Sequence, residues 1–280
     1  MATNTFNQLV DIYEAMVDWP KRLATEEPFY RHWFQEAGVN RVVDVACGTG
    51  HHAAMFHGWG LEVEGADLSP AMIERARTGF GEPPGLRWAV RGFDEPIPGA
   101  GSWDAVVCVG NSLALAPDLA TVGTAVARMM AALRPGGVLL VQVLNLWRLP
   151  DGPCVWQKCH RALLPQGDVL ILKGVHRYDR RGYVELAVAD PHGGPLLAHE
   201  SPQFLGLESS ELEAMTRQAG AAEVQFFGGY GAKAFHREES IDLVMVARSR
   251  TVCPPEGSGK SRSTCGEQRD RSPSVHSCVG

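Results

Sequence analysis

Hydrophobic positions in the first half of the chain come in short runs separated by amphipathic stretches. Residues 41–46, 62–66, 86–91, 104–109 and 138–144 read as strands, because each run is short, apolar and bounded by glycine, proline or acidic residues. Residues 50–59, 70–79 and 119–133 lie between them with helical periodicity. Alternating strands and helices build an open α/β sheet wound on both faces. Arg134-Pro135-Gly136-Gly137 reads as a compact turn that stops a helix and feeds the fifth strand. No internal repeat is evident.

After Asn145 the period changes to strict alternation. Residues 169–178 and 183–190 are expected as two strands joined by Asp179-Arg180-Arg181-Gly182, a hairpin signal, with a third strand over 195–204. A helix over 208–219, closed by Gly220, and strands at 222–227 and 241–247 then bring the large sheet to seven strands. A small antiparallel element is thus inserted over 150–205. In an open parallel sheet a ligand lies beyond the carboxyl ends of the strands, so this insertion is placed to roof the pocket.

Composition adds boundaries and exclusions. A chain of 280 residues with 45% hydrophobic content supports one sizeable domain, expected over 1–248. From residue 249 the composition turns to Ser, Gly, Pro, Arg and Cys, with three valines as its aliphatic residues. Such a segment buries too little apolar surface to offset chain entropy, so 249–280 is expected as a disordered tail. The net charge is −6; the tail contributes +2 (five Lys/Arg against three Asp/Glu), which leaves −8 on the body. An acidic body argues against a nucleic-acid partner, since phosphate binding needs a positive surface. No run approaches the roughly 18 apolar residues of a membrane span. The start, Met-Ala-Thr-Asn-Thr-Phe-Asn, has neither the basic region nor the apolar core of a secretory signal. The 7 cysteines are odd in number and scattered, and Cys154, Cys159 and His160 match metal-ligand spacing poorly. No metal site is expected, and a reducing cytoplasm fits best.

The chemistry concentrates at Arg41-Val-Val-Asp44-Val-Ala46-Cys47-Gly48-Thr49-Gly50-His51-His52. An apolar strand ends in an acidic residue, turns through two glycines and enters a helix. A glycine turn at a helix N-terminus is a nucleotide-binding corner, because glycine lets backbone approach a ligand closely. Gly48, Gly50 and Ala53 also satisfy the dinucleotide fingerprint, so a dehydrogenase competes at this point. Downstream, a second strand ends in Asp67, close to the roughly 20-residue spacing of a carboxylate that chelates a ribose diol.

The residues around the corner carry a resemblance. Asp44 and Ala46 precede the glycines as Asp-x-Ala-x-Gly-x-Gly, which resembles the first motif of class I S-adenosylmethionine-dependent methyltransferases. Asp67-Leu68-Ser69-Pro70-Ala71-Met72 is similar to the same family and unusual in a nicotinamide enzyme. Trp103-Asp-Ala-Val-Val-Cys-Val-Gly110-Asn111-Ser112-Leu113 resembles the fourth-strand motif of the glycine and glycine/sarcosine N-methyltransferases. So does the N-terminal pattern Asp18-Trp19-Pro-Lys-Arg22-Leu-x-x-Glu26-x-x-Phe29. The likeness runs over residues 10–247 and is strongest up to Asn145. It implies a Rossmann-like, doubly wound, seven-stranded methyltransferase sheet that binds S-adenosylmethionine and acts on a small-molecule acceptor.

The resemblance also implies roles. Arg22, beside Trp19, would pair with the cofactor's carboxylate, the alternative being a salt bridge to Glu26 or Glu27. Asp44 and the backbone at Ala46, Gly48 and Gly50 would line the methionine part and the sugar. Asp67 would accept from the ribose hydroxyls, Leu68 and Met72 would face the adenine, and Phe93 and Asp94 would flank it. Val109 and Asn111 would come near the sulfonium, and Asn145 would stand by the reacting centre. Apart from the resemblance, the sequence offers Tyr13 either as a hydroxyl aimed at the methyl or as an amphipathic-helix aromatic, and His52 either as a polar contact to the acceptor or, like the neighbouring His51, as a solvated residue at a helix start beside the pocket. The sequence departs from the family at Leu144 and Leu146, where polar residues flank the counterpart of Asn145. The family's carboxylate-binding Arg has no clear counterpart; Lys173, His176 and Arg177 are candidates that strand alternation would split between two faces. The acceptor pocket is therefore expected to be more apolar than a glycine site and to prefer a larger or less charged amine, with simple amino acids poor acceptors unless Lys173 or Arg177 turns inward. Methyl transfer to an amine requires no Ser-His-Asp triad or carboxylate pair, and none is found. Transfer to oxygen or carbon, and a catalytically idle cofactor-binding module, are the competing readings.

Overall fold

The computed structural model describes residues 10–251 except Gln166 and Ala232. Helices α1 (Val10–Met16) and α2 (Trp19–Ala37) precede β1 (Arg41–Asp44). There follow α3 (His51–Gly58), β2 (Glu62–Asp67), α4 (Pro70–Phe80), β3 (Leu86–Val90), β4 (Trp103–Cys108), α5 (Leu119–Ala132) and β5 (Leu133–Leu144). After β6–β10, described below, come α6 (Ser209–Gln218), β11 (Ala221–Phe227) and β12 (Asp242–Ser249). The large sheet has the order β3-β2-β1-β4-β5-β12-β11, with β1 to β5 parallel and β12 antiparallel to both neighbours.

Successive strand residues feed two different cores, as a sheet covered on both faces requires. Val43, Val106, Cys108, Leu139, Val141 and Val143 pack with Val122, Val126 and Met129 of α5 and Leu212 of α6. Val42, Ala105, Val107, Val138 and Leu140 face Phe29, Tyr30, Trp33 and Phe34 of α2, with Phe56 of α3 and Ile73 of α4. The long helix α2 is absent from the sequence expectation, yet its signals are legible. Asp18 accepts from the Lys21 N–H at 3.2 Å, Pro20 sits in the first turn, and Gly38 closes the helix in the left-handed conformation. The turn expected at Arg134–Gly137 is a register shift inside β5: Leu133 pairs with Trp103, and regular pairing resumes at Val138.

The insertion is a second sheet of β6 (Val155–Leu164), β7 (Gly167–Tyr178), β8 (Arg181–Ala189), β9 (Leu196–Glu200) and β10 (Gln203–Leu205). Its order is β10-β8-β7-β6, with β9 also on β8 and every pairing antiparallel. The expected third strand is broken in two at Pro202, which has no N–H to give a ladder. Strand β6 was not expected. It is an edge strand exposed along most of its length, so the alternation that would reveal it is missing. The sheet buries Ile171, Val188 and Leu164 against Ile12 of α1, which ties the N-terminal helix to the roof. Ser249 still belongs to β12, and its hydroxyl donates to the Arg134 carbonyl at 2.6 Å. The expected tail boundary therefore moves past it, and residues 252–280 lie outside the described residues. No described helix is long and apolar enough to cross a membrane.

Candidate cofactor and acceptor cavities

Both cavities open at the carboxyl ends of the parallel strands. The chain leaves β1, donates from Cys47 N–H to the Ala66 carbonyl at 2.8 Å, and turns through Gly48 and Gly50 with φ of 54° and 90°. The two glycines serve different purposes. A Cβ on Gly48 would meet only the Tyr13 ring, at 3.8 Å. A Cβ on Gly50 would lie 2.7 Å from the Trp88 ring and 2.9 Å from the Ala76 side chain. Gly50 thus lets α3 pack on the sheet and is not among the cavity-lining residues, a correction to its expected ligand contact.

The first cavity, about 270 Å³, is walled by Ala46, Cys47 and Gly48, by Asp67, Leu68 and Met72, by Phe93 and Asp94, by Val109 and Gly110, and by Tyr13, Trp19, Arg22 and His52. The turn and the second strand are locked together through Asp67. Its Oδ2 accepts from Gly48 N–H and its Oδ1 from Ser69 N–H, both at 2.9 Å, and Ser69 caps α4. Burial raises the Asp67 pKa, against the two N–H groups that hold it down. Asp44, by contrast, is buried beneath the turn and does not reach the wall. Its Oδ1 accepts from Ala46 N–H at 3.3 Å, while Oδ2 has no hydrogen-bond partner among the described residues. Burial pushes its pKa up to about 7, with the nearby Asp67 charge adding to the rise.

Arg22 makes the ion pair with Glu26 that was the alternative expectation, and it also lines the first cavity. Its Nε donates to Glu26 Oε1 at 2.8 Å, and a Cβ on Gly110 would lie 3.8 Å from its Nη2. Glu26 is 5% exposed and is held from the other side by His52 Nε2 at 2.7 Å and by the Tyr30 hydroxyl at 3.2 Å. Burial alone would raise the Glu26 pKa, but the His52 hydrogen bond and the Arg22 charge bring it below the usual carboxylate range. His52, expected to touch acceptor, instead braces the residue that braces Arg22. His51 stacks on Trp19 at 4.1 Å and reaches Glu14 at 3.1 Å.

A second cavity, about 740 Å³, lies under the insertion. Tyr13, Arg22, Gly110 and Leu115 wall both cavities, so the two meet there. Lys158 and Lys173 come from the insertion, Asp18, Lys21 and Glu26 from the N-terminal helices, and Asn111, Gln142, Tyr230 and Asp242 from the large sheet and its loops. Asn111, in the left-handed region at φ 67°, turns its Oδ1 to Leu144 N–H at 2.9 Å and lines this cavity alone, not the first as expected. Asn145 lines neither cavity. It is 1% exposed, its amide donates to the Arg237 and Ser240 carbonyls at 2.8 and 2.7 Å, and its oxygen accepts from Trp147 N–H. Its carboxamide anchors the loop before β12, which removes it from the expected place beside the reacting centre.

Residues 42–137 match the model of a methyltransferase domain family. The glycine/sarcosine N-methyltransferase of Parasynechococcus marenigrum is 33% identical over 51% of this chain and 51% of its own length. The human glycine N-methyltransferase is 30% identical over 60% of this chain and 66% of its own length. A solved amino pentose methyltransferase from Micromonospora echinaspora, with S-adenosylmethionine bound, superposes with a TM-score of 0.65 at 25% identity, covering 85% of this chain and 96% of that one. The chain carries a class I S-adenosylmethionine-dependent methyltransferase domain. A sugar N-methyltransferase from a Streptoalloteichus species is also similar, with a TM-score of 0.63 at 25% identity over 81% of this chain and 88% of its own. The chain spans about half the length of most of the N-methyltransferase relatives it matches.

In this methyltransferase domain the sequence offered Lys173 as one of three basic candidates for the second cavity, but gave no sign of Lys158 or Asp242. The wall of that cavity is mostly apolar, and it meets the stated exception, because a basic residue of the hairpin turns inward. On β7, Lys173 shares the face of Ile171 and Val175, both buried, and so points under the roof. His176 lies on the other face, 3.7 Å from Glu185. Arg177 is spent on the Leu149 carbonyl at 2.7 Å and on Asp151 at 3.3 Å. Burial lowers the Lys173 pKa, and Lys158 and Arg22 lower it further against the pull of Asp242.

Proposed function

We propose that the protein transfers the methyl group of S-adenosylmethionine to the amine nitrogen of a small acceptor that also bears an anionic group. The observation that carries this reading is the junction of the two cavities at Tyr13, Arg22, Gly110 and Leu115, one ending in Asp67 and the other flanked by Lys173 and Asp242. In the first cavity Asp67 would accept from the ribose hydroxyls, Leu68, Met72 and Phe93 would enclose the adenine, and Asp94 would accept from its amino group. Trp19 and Arg22 would take the cofactor's carboxylate, with the backbone of Ala46, Gly48 and Val109 along the methionine chain. The wall fits such a group: Arg22 lines it beside Trp19 and would give a carboxylate a guanidinium partner.

When bound, S-adenosylmethionine supplies a methyl on a strongly activated sulfur leaving group. The chain's task is to hold the nitrogen in line with it and to keep water out. Tyr13 stands at the junction with its phenol pushed up to about 12 by burial, so it stays a neutral hydroxyl through the physiological range. Arg22, fixed by Glu26, and Lys173 supply positive charge to either side of the junction. An anionic group on the acceptor would meet Lys173, whose burial without an anion is unfavourable. The relatives named as glycine/sarcosine and sugar N-methyltransferases support nitrogen as the site of transfer. A cytoplasmic setting belongs to the same proposal and rests on the odd, scattered cysteines. Methyl-labelled cofactor offered with glycine, sarcosine, an aminosugar, an uncharged amine and a phenol tests the reading. Amines with an anionic group should be the best acceptors; methylation of the phenol alone would overturn it.

A further inference from the structure

Three carboxylates line the acceptor cavity, and they are not equivalent. Asp18 is spent as the N-cap of α2. Glu26 is bound by Arg22, His52 and Tyr30. Asp242 remains. Its Oδ1 accepts from Gln142 Nε2 at 2.8 Å, and Oδ2 makes no hydrogen bond among the described residues. The first residue of β12, it pairs with Leu144 and so sits at the carboxyl end of β5, the same end of the sheet as the glycine turn. Gln142 ties it to the cofactor side, because Gln142 Oε1 accepts from Gly110 N–H at 2.8 Å and from Asn111 N–H at 3.2 Å. Gly110 belongs to both cavity walls. A carboxylate with an open oxygen is therefore clamped, through one glutamine, to the backbone where the cavities meet.

We propose that Asp242 receives the ammonium group of the acceptor and takes its proton before methyl transfer. This rests on the reading that the acceptor is an amine. An ammonium has no lone pair, so one N–H bond must break before nitrogen can attack. The proton goes to Oδ2 of Asp242, leaving a neutral amine. Nitrogen then forms its bond to the methyl carbon as the carbon–sulfur bond breaks; sulfur leaves as a neutral thioether and the product as a methylated ammonium. Asp242 returns the proton to solvent through the cavity, so that one proton is released per turnover. Desolvation favours this order, because a neutral acid beside a neutral amine is better tolerated than an ion pair in a buried site. Burial raises the Asp242 pKa, offset by the Gln142 hydrogen bond, and the titratable groups that face it are Glu26, Arg22, Arg148, Lys173 and Tyr230.

Asp242→Asn keeps the shape and a partner for Gln142 but cannot take a proton. With glycine as acceptor, its kcat/KM should fall by about 100-fold near pH 7 and recover in part near pH 9.5, where more of the amine is already free. Affinity for S-adenosylhomocysteine should stay within about twofold of the parent, as calorimetry reads it. Parental kcat/KM with an unchanged pH profile in a protein that methylates glycine would overturn the role of Asp242 and leave the functional reading intact. If the parent does not turn glycine over, methylammonium is titrated into the S-adenosylhomocysteine complex while the Asp242 carboxyl carbon is followed by NMR. A saturable shift, lost in Asp242→Asn, supports the proposal; no shift overturns it.

Discussion

The parallel half of the molecule and the antiparallel roof build their cavities by different means. On the parallel side Tyr13, Trp19 and Arg22 are added from the N-terminal helices, but much of the wall is residues that follow the strand ends: a glycine turn, a carboxylate closing β2, an apolar corner on α4. These positions follow from where each strand stops. On the roof side the wall is side chains delivered from separated elements, with Lys173 from β7, Gln142 from β5 and Asp242 from β12. The first kind of site tolerates little change in backbone geometry and fixes what is bound. The second can be altered one side chain at a time, so that under the proposed function the acceptor would change while the cofactor stays the same.

That division can be broken most severely at Gly50. Gly50→Ala places a methyl against Trp88 and Ala76 at a residue with φ 90°, and should cost about 2–5 kcal/mol from backbone strain and overpacking. Thermal unfolding checks it; a parental melting temperature would mean that Trp88 moves aside and that the frame is less rigid than described.

Next in size is the cost of Asp44. A carboxylate whose folded pKa is raised from 3.8 to about 7 binds its proton more tightly in the folded state, so stability falls as pH rises from about 4 to about 7 and the full cost persists above that. Asp44→Asn should therefore be more stable than the parent above pH 7, by about 4 kcal/mol, with the difference vanishing near pH 4. Denaturant unfolding of both proteins across that window decides it. Equal pH dependence would show that Asp44 is ionised in the frame at little cost.

The two smaller effects separate the halves directly. Asp67→Ala should weaken S-adenosylhomocysteine binding by about 10- to 100-fold, the loss of one charge-assisted hydrogen bond or a little more, while a folded variant keeps its acceptor KM. Lys173→Met should do the reverse, raising the KM of an anionic amine by about tenfold and leaving cofactor affinity unchanged. Calorimetry and steady-state kinetics on both variants complete the cross. If each variant moved both quantities alike, the two cavities would act as one site.

What could be read from the sequence follows the same line. The strands that frame the cofactor cavity were legible because each is a short apolar run ending in a special residue: Asp44 before the glycines, Asp67 before Ser-Pro. Helix α2 was legible in its caps, though only the structure shows its Glu26 reaching His52. Strand β6 was not legible, since an exposed edge strand has no buried face to impose alternation. Asn145 misled for a related reason. Its place at the end of β5 invited a role beside the reacting centre, but the loop carrying Arg237 and Ser240 has claimed its amide.

By itself the sequence determined the seven-stranded sheet, the glycine corner, the carboxylate of the second strand and the presence of an antiparallel insertion. Those depend on local periodicity and on residues whose backbone preferences act wherever they stand. Tertiary structure alone decided that Gly50 serves packing, that Lys173 and not Arg177 lines the second cavity, and that Asp242 meets Gln142 across the sheet. Each of these depends on which face of a strand is covered and which distant side chain fills a hydrogen bond. Residues 142 and 242 are 100 positions apart in the chain, and only the pairing of β12 with β5 brings their side chains together.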